Sequence, residues 1–274
     1  MGKNVCAYVV TQNILYMNMA YLSILLLRKY NKTIPITLFF IQDEDKIKTT
    51  NNQLDYSTIE KLDLEKIKIA SDFFVKKLKE FNVNIVLKPP YVKDDTFPHA
   101  NRAYISELKE ENVFFIDADT FIFDDVLKIF EGYPDNDFVA LKAPWIKITN
   151  NFDKISEKFF GGLQPFCGCL LLFKNHKAKI WANSIMSNIR KTLDNQEIRE
   201  WMFKENLFLI RDEISILTFI KDNNINYAYF DIKDCCQINE FTSLERKIVH
   251  TFSHLWEKKF KKIFKKDRLP LRVN

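Results

Sequence analysis

The stretch Asn112-Val-Phe-Phe-Ile-Asp117-Ala118-Asp119-Thr120 decides the fold class and points to a site. Its apolar part, Val113–Ile116, is a short continuous run that is typical of a strand buried on both faces. Two carboxylates, Asp117 and Asp119, follow it one residue apart. Because ligands of parallel sheets bind outside the carboxyl ends of the strands, we expect both side chains to face one ligand site if the chain turns there.

The sequence before this strand alternates between strand and helix patterns. Apolar runs predict the strands, and apolar residues at helical spacing predict the helices. The predicted strands are Val5–Val10, Ile34–Ile41 and Val83–Leu87, and the predicted helices are Tyr16–Tyr30, Ile59–Phe81 and Pro98–Glu110. Residues 42–57 are polar and are predicted to form a surface loop. This alternation predicts an α/β fold with a parallel sheet and helices on both faces.

The pattern is less regular after Asp119. It predicts a helix at Asp124–Phe130, a strand at Phe138–Lys142, a polar loop up to Lys158, a strand at Leu170–Phe173, and helices at His176–Lys191 and Asp212–Lys221. The sequence contains no internal repeat and no Gly/Ser linker. We therefore predict a single domain over residues 1–256, followed by a tail at 257–274.

The net charge of +5 is unevenly distributed along the chain. Residues 258–272 carry eight basic side chains and one acidic side chain, a net +7, so the remainder carries −2. This distribution argues against a nucleic-acid partner for the body of the protein. Phe260, Ile263 and Phe264 would share one face of a helix. Residues 257–274 are therefore predicted to be a basic amphipathic tail that binds an anionic membrane surface, or else a solvated terminus.

The five cysteines match neither a disulfide framework nor a zinc-finger spacing. Their odd number favours reduced thiols and a cytoplasmic protein, which the tail would place on the inner face of a membrane. The pairs Cys167/Cys169 and Cys235/Cys236 could in principle form a soft metal site. Small buried core residues are the favoured interpretation, because cysteine is often buried and no spacing rule is met.

The order of motifs resembles GT-A nucleotide-sugar glycosyltransferases, above all family 8. In that family an arginine-bearing helix precedes a strand that ends in D-x-D, which is similar to Arg102 followed by FFIDADTFIFDDV. Phe166–Phe173 is similar to the family's F-N-[SA]-G-V-x-L-x strand, with Cys167 in place of the Asn that faces the donor sugar. The resemblance covers Val5–Trp256 and implies a single GT-A domain with a mostly parallel central sheet.

The segment Arg211-Asp-Glu-Ile-Ser215 resembles the D-Q motif of family 8 and the H-D-E-S motif of family 6. The resemblance implies that Asp212 and Glu213 supply a catalytic carboxylate near the anomeric carbon. Matching to family 6 puts Glu213 at the nucleophile-like position, and matching to family 8 puts it where Gln is found. A retaining reaction is favoured, whereas an inverting enzyme would use the carboxylate as a base. Helix capping by Asp212 is the structural alternative.

The segment Val249–Trp256 resembles the H-x-x-G-x-x-K-P-W motif, whose histidine completes the metal site. Ser253 stands where glycine is usual, and Glu257 breaks the pattern. The resemblance implies a Mn²⁺ or Mg²⁺ cofactor that is held by Asp117, Asp119 and His250. Carboxylate oxygens suit both cations, and neutral imidazole is an acceptable ligand for Mn²⁺.

The turn after the first strand occupies the place where such enzymes hold uracil and ribose. The residues implied in donor binding are Thr11, Gln12, Asn13, Tyr16, Arg102, Asp117 and Ala118. Arg102 is expected to pair with a phosphate or a carboxylate. The implied reaction moves a sugar from a nucleotide-sugar, foremost a UDP-sugar, to a carbohydrate or lipid-linked glycan acceptor.

Two other functions are alternatives. A degenerate transferase that binds nucleotide or glycan without transfer is suggested by Cys167 and Ser253 in motif positions. An aspartyl-nucleophile phosphatase also ends a strand with D-x-D-x-T, but Thr120 comes one position too early for that motif. That motif also normally lies on the first strand, so the phosphatase ranks below the transferase.

Overall fold

The computed structural model describes residues 3–42, 64–92, 98–143, 152–205, 211–237 and 248–250. Its strands are β1 (Asn4–Thr11), β2 (Ile36–Ile41), β3 (Val83–Lys88), β4 (Asn112–Ile116), β5 (Thr120–Ile122), β6 (Phe138–Lys142), β7 (Phe166–Phe173), β8 (Tyr227–Tyr229), β9 (Cys235–Gln237) and β10 (Ile248–His250). Its helices are α1 (Ile14–Tyr30), α2 (Leu64–Lys79), a 3₁₀ helix (Pro98–Glu107), α3 (Leu127–Glu131), α4 (Phe152–Phe160), α5 (Lys177–Asp194), α6 (Gln196–Lys204) and α7 (Arg211–Asp222).

Seven strands form the central sheet in the order β3-β2-β1-β4-β7-β6-β8. The first four are parallel neighbours. Strand β7 runs antiparallel to β4 and β6, and β8 is parallel to β6. Every residue of β2, β4 and β7 is buried, which explains their mostly apolar sequences. The predicted α/β fold with a mostly parallel central sheet is confirmed.

A second sheet of three strands, in the order β5-β10-β9, lies at the end of β4. Strand β5 begins at Thr120, directly after the two aspartates, and pairs antiparallel with β10. This pairing sets His250 opposite Thr120. Each of these strands has three residues. Such short strands show no readable alternation, and the sequence analysis did not predict them.

Helices pack on the central sheet in two groups. Helix α1 packs on β1 and on α2, and α2 packs on β3. Helix α5 packs on the 3₁₀ helix and on α7, and α7 packs on β7. Asn13 caps α1, because its Oδ1 accepts hydrogen bonds from the amides of Leu15 at 2.9 Å and Tyr16 at 3.4 Å. A cap of this kind stabilises a helix by about 1 kcal/mol.

The predicted helix at Pro98–Glu110 is a 3₁₀ helix that ends at Glu107. Long-range polar contacts hold this tighter turn in place. Asn101 Oδ1 accepts a hydrogen bond from the Tyr91 amide at 2.8 Å, and the Tyr104 hydroxyl donates to the Pro89 carbonyl at 2.9 Å. Tertiary contacts therefore outweigh the local helical pattern here.

Two predictions after β5 also need correction. The predicted polar loop up to Lys158 contains helix α4, which buries Phe152, Ile155, Ser156 and Phe160 at helical spacing. The helix predicted at Asp124–Phe130 begins later, at Leu127. Asp125 Oδ1 accepts a hydrogen bond from the Leu127 amide at 3.0 Å, which forms a turn just before the helix.

Helix α6 was not predicted. Asn195 caps it, because its side chain accepts a hydrogen bond from the Ile198 amide.

All five cysteines are buried thiols, as the favoured core interpretation expects. No helix among the described residues combines the length and the apolar character that crossing a membrane requires. The predicted tail at 257–274, together with Ser253 and most of the predicted loop at 42–57, lies outside the described residues.

Candidate metal and donor site

The two aspartates lie in a turn that joins the central sheet to the small sheet. The Asp117 amide donates a hydrogen bond to the Cys169 carbonyl of β7 at 2.9 Å, which extends the pairing of β4 by one residue. The Thr120 amide donates to the Asp117 carbonyl at 3.2 Å and closes the turn. Asp117 and Asp119 therefore flank Ala118, which is 8% exposed, at the carboxyl end of β4.

The structure brings Asp117, Asp119 and His250 together. One ligand atom from each residue lies within 4.8 Å of the other two. His250 Nε2 is 3.2 Å from Asp119 Oδ1, and both side chains are largely buried. Two carboxylates and an imidazole are a donor set that suits Mn²⁺, with water and substrate oxygens filling the other positions. The residues present therefore fit the implied cation.

The charges of this cluster shift its protonation. Burial by itself lowers the pKa of His250, but the charge of Asp119 and the hydrogen bond to it raise that pKa to about 9. Burial raises the pKa of Asp119, but the charge of His250 and their hydrogen bond lower it below its usual range. Each partner therefore stabilises the charged form of the other.

Arg102 is paired with the first aspartate. Its Nη2 donates to both carboxylate oxygens of Asp117, at 3.0 and 3.1 Å. The guanidinium also lies over the ring of Phe115, 4.9 Å from the centroid, and the residue is 5% exposed. The expected partner of Arg102 was a phosphate or a carboxylate, and the structure pairs it with the carboxylate of Asp117. The contact holds the Asp117 carboxylate in a fixed orientation beside the cluster.

Of the predicted donor residues, Thr11 ends β1 and Gln12 and Asn13 follow it, and β1 is the parallel neighbour of β4. They therefore lie at the same edge of the sheet as Asp117. The Gln12 side chain donates from Nε2 to Ser71 Oγ at 3.0 Å. Its Oε1 is buried and has no hydrogen-bond partner among the described residues. Tyr16 lies in the first turn of α1 and is partly exposed.

The predicted catalytic carboxylates lie at the start of α7, the helix that packs on β7. Asp212 lies in the first turn of the described helix, which begins at Arg211. The Glu213 side chain is partly buried. The roles of both residues stay predictions.

Two further residues lie beside the cluster. One ligand atom from each of Cys167, Cys169 and His250 lies within 4.8 Å of the other two, and both cysteines are 3% exposed. The sequence favoured a role of this pair in the core over a role in metal binding. The spacing of Cys167 and Cys169 could have indicated that both face the same side, because residues i and i+2 of a strand share one face.

Comparison with known proteins identifies the fold. No protein-family profile and no curated protein matches the chain. Solved structures do match. The galactosyltransferase LgtC, in complex with donor and acceptor sugar analogues, aligns with a TM-score of 0.56 at 12% identity, over 90% of this chain and 87% of LgtC.

Two other glycosyltransferases align over similar shares of this chain. Mouse xyloside xylosyltransferase 1 does so with a TM-score of 0.51 at 11% identity, over 90% of this chain and 97% of its own. The bifunctional glycosyltransferase WbbM aligns with a TM-score of 0.51 at 13% identity, over 91% of this chain and 46% of its own. The protein has the GT-A fold of nucleotide-sugar glycosyltransferases.

Proposed function

We propose that this protein is a metal-dependent glycosyltransferase that moves a sugar from a nucleotide-sugar to a carbohydrate or lipid-linked glycan acceptor. The observation that carries the proposal is the convergence of Asp117, Asp119 and His250 within 4.8 Å at the carboxyl end of β4 in a GT-A fold. The galactosyltransferase LgtC, which shares this fold, was solved with donor and acceptor sugar analogues.

The donor is proposed to be a UDP-sugar whose base and ribose lie against the turn after β1. Gln12 Oε1 is a buried acceptor with no partner among the described residues, and a buried polar atom is costly to leave unpaired. The N3–H group of uracil is a donor of the matching kind. Tyr16 offers an aromatic ring close to the same turn.

The chain's own residues are proposed to manage the charge of the leaving group. Asp117, Asp119 and His250 would hold Mn²⁺ or Mg²⁺, which when bound stabilises negative charge on the departing diphosphate. Arg102 orients Asp117 through two hydrogen bonds. Its positive charge would also offset negative charge on the departing diphosphate. A fixed cation that faces developing negative charge lowers the barrier, because it needs no reorganisation during the reaction.

Glu213 or Asp212 is proposed to face the anomeric carbon. A carboxylate there stabilises an oxocarbenium-like state or forms a covalent intermediate, and the anomeric configuration is then retained. NMR of the product made from an α-linked donor checks this point: an α-linked product supports retention, and a β-linked product contradicts it.

The proposed tail, residues 257–274, would bring the domain to acidic lipids, with about 1 kcal/mol from each basic residue near the surface.

The deciding experiment measures nucleotide binding and donor hydrolysis. We expect UDP to raise the melting temperature in the presence of Mn²⁺ more than in its absence, and more than other nucleoside diphosphates do. Asp119→Ala should abolish this Mn²⁺-dependent shift. It should also lower hydrolysis of the UDP-sugar by about 10²-fold or more, the effect of removing a group that stabilises developing charge.

Asp135→Ala is the matched control. Asp135 is exposed and precedes β6, whose first residue aligns with the amino end of β4, so it lies at the opposite edge of the sheet. Nucleotide binding without any hydrolysis or transfer would favour the degenerate binding protein. Release of phosphate from a phosphomonoester, lost in Asp117→Asn, would favour the phosphatase. No binding of any nucleotide would overturn the transferase.

A further inference from the structure

Two buried thiols lie on one face of β7, beside the carboxylate cluster. Cys167 and Cys169 are separated by Gly168, so their side chains point to the same side of the strand. Each is 3% exposed, and the two sulfur atoms lie within 4.8 Å of each other. The Cys169 carbonyl accepts the Asp117 amide at 2.9 Å, which ties this part of β7 to the turn that carries the aspartates.

A third donor comes from the small sheet. His250 ends β10, is 5% exposed, and offers a ring nitrogen within 4.8 Å of both sulfur atoms. The ligand atoms of a tetrahedral zinc site, with Zn–S near 2.3 Å and Zn–N near 2.0 Å, lie about 3.4–3.8 Å from one another. Small side-chain rotations would bring the two sulfur atoms and the ring nitrogen to that spacing. The fold already brings these atoms, from strands that are far apart in the sequence, to within 4.8 Å of one another.

We propose that Cys167, Cys169 and His250 form a binding site for a borderline-soft divalent cation of the zinc class, in addition to the oxygen-rich site of the proposed function. Thiolate and imidazole select such ions, whereas carboxylate and water select Mg²⁺ and Mn²⁺. Water would complete the coordination, as it does in zinc sites with three protein ligands. Each thiol loses its proton to solvent as its metal–sulfur bond forms.

The zinc-class site and the oxygen-rich site share His250 as a ligand. The oxygen donors Asp117 and Asp119 form one group with the His250 imidazole, and the sulfur donors Cys167 and Cys169 form another, each with ligand atoms within 4.8 Å of one another. A cation that takes His250 together with the thiols removes that ligand from a Mn²⁺ ion held by the aspartates. Zinc and manganese should therefore compete for the protein, and the tighter sulfur ligation should favour zinc.

Cobalt binding to the full chain tests the site directly. Co²⁺ substitutes for Zn²⁺ in such sites, and a Co²⁺–thiolate bond gives a charge-transfer band in the near ultraviolet. The reduced protein is freed of metal by chelation and titrated with Co²⁺ in the absence of nucleotide. We expect a thiolate charge-transfer band that saturates with the first equivalent of metal and disappears when one equivalent of Zn²⁺ is added.

Substitutions assign the band to residues. Cys167→Ser and Cys169→Ser should each reduce the band by about half, and the double variant should lose it and bind Zn²⁺ at least about tenfold more weakly. Cys6→Ala is the matched control: Cys6 is a fully buried thiol of β1, outside this cluster, and its removal should leave the spectrum unchanged.

Several results would overturn the site. They are binding of Co²⁺ without a thiolate band, no stoichiometric binding of Co²⁺ or Zn²⁺, and a band that persists in the double variant. The wild-type spectrum decides the first two, so the outcome does not depend on whether a variant folds. The measurement uses neither donor nor turnover, so failure of this site is distinguishable from failure of the proposed transferase.

Discussion

The molecule has two regions that are built differently. The first runs from β1 to β4 and consists of parallel strands that alternate with helices along the chain. The second runs from β5 to β10 and pairs segments that are distant in sequence, such as Thr120 with His250. The first region supplies the two aspartates, and the second supplies His250, Cys167 and Cys169. The candidate site therefore exists only where the two regions meet.

The difference shows how the site depends on the fold. A local pattern is enough to place Asp117 and Asp119 at the end of a strand. Long-range pairing is needed to bring an imidazole to within 3.2 Å of Asp119. Variants that disturb one region should therefore lower overall stability, whereas variants that disturb the contact between the regions should change the properties of the site.

Phe114 should give the largest effect, because it joins the regions. It is fully buried in β4, and its ring contacts Phe130 of α3 and Phe230 after β8, with centroids 6.3 and 6.0 Å away. Phe114→Ala should lower the free energy of unfolding by about 3–5 kcal/mol in urea titrations. Phe73→Ala, at a residue that is 51% exposed, should change it by no more than about 0.5 kcal/mol. Equal destabilisation by Phe114→Ala and Phe73→Ala would mean that β4 does not form a core shared by the two regions.

The ion pair at the junction should give an intermediate effect that depends on pH. The pKa of His250 rises from 6.5 to about 9 on folding, so its contribution is fully present below pH 6.5 and is lost as pH rises through about 9. In metal-free protein, the free energy of unfolding should fall over this range by an amount on the order of 2–3 kcal/mol. Chemical denaturation at a series of pH values measures it.

His250→Gln is the control for the pH effect. Glutamine keeps a hydrogen-bond donor toward Asp119 but does not titrate, so the fall between pH 6.5 and 9 should be absent. A fall of the same size in this variant would assign the pH dependence to another group.

The smallest effect should come from a local feature of the first region. Asn13 caps α1 through the amides of Leu15 and Tyr16, and Asn13→Ala should lower the free energy of unfolding by about 1 kcal/mol. Asn13→Asp keeps the capping oxygen and should preserve stability. If Asn13→Asp nevertheless weakens UDP binding, the residue contacts the donor as well as capping the helix; if neither property changes, its role is the cap alone.

The strands of the first region could be predicted because each is rich in apolar residues, as in β2 and β4. The helix predicted at Pro98–Glu110 is a 3₁₀ helix that ends at Glu107, and the prediction of a loop up to Lys158 was wrong because it missed the helical spacing of α4. The placement of His250 followed from a resemblance rather than from a pattern, since β10 has three residues and no readable period.

The sequence by itself determined the parallel order of strand and helix and the position of Asp117 and Asp119 at the end of β4, because hydrophobic periodicity and local turns are properties of neighbouring residues. Only the tertiary structure decided that Arg102 pairs with Asp117, and that Cys167 and Cys169 meet His250 beside Asp119. Those contacts depend on which strands pair and in which register, and sheet pairing is set by the packing of the whole core.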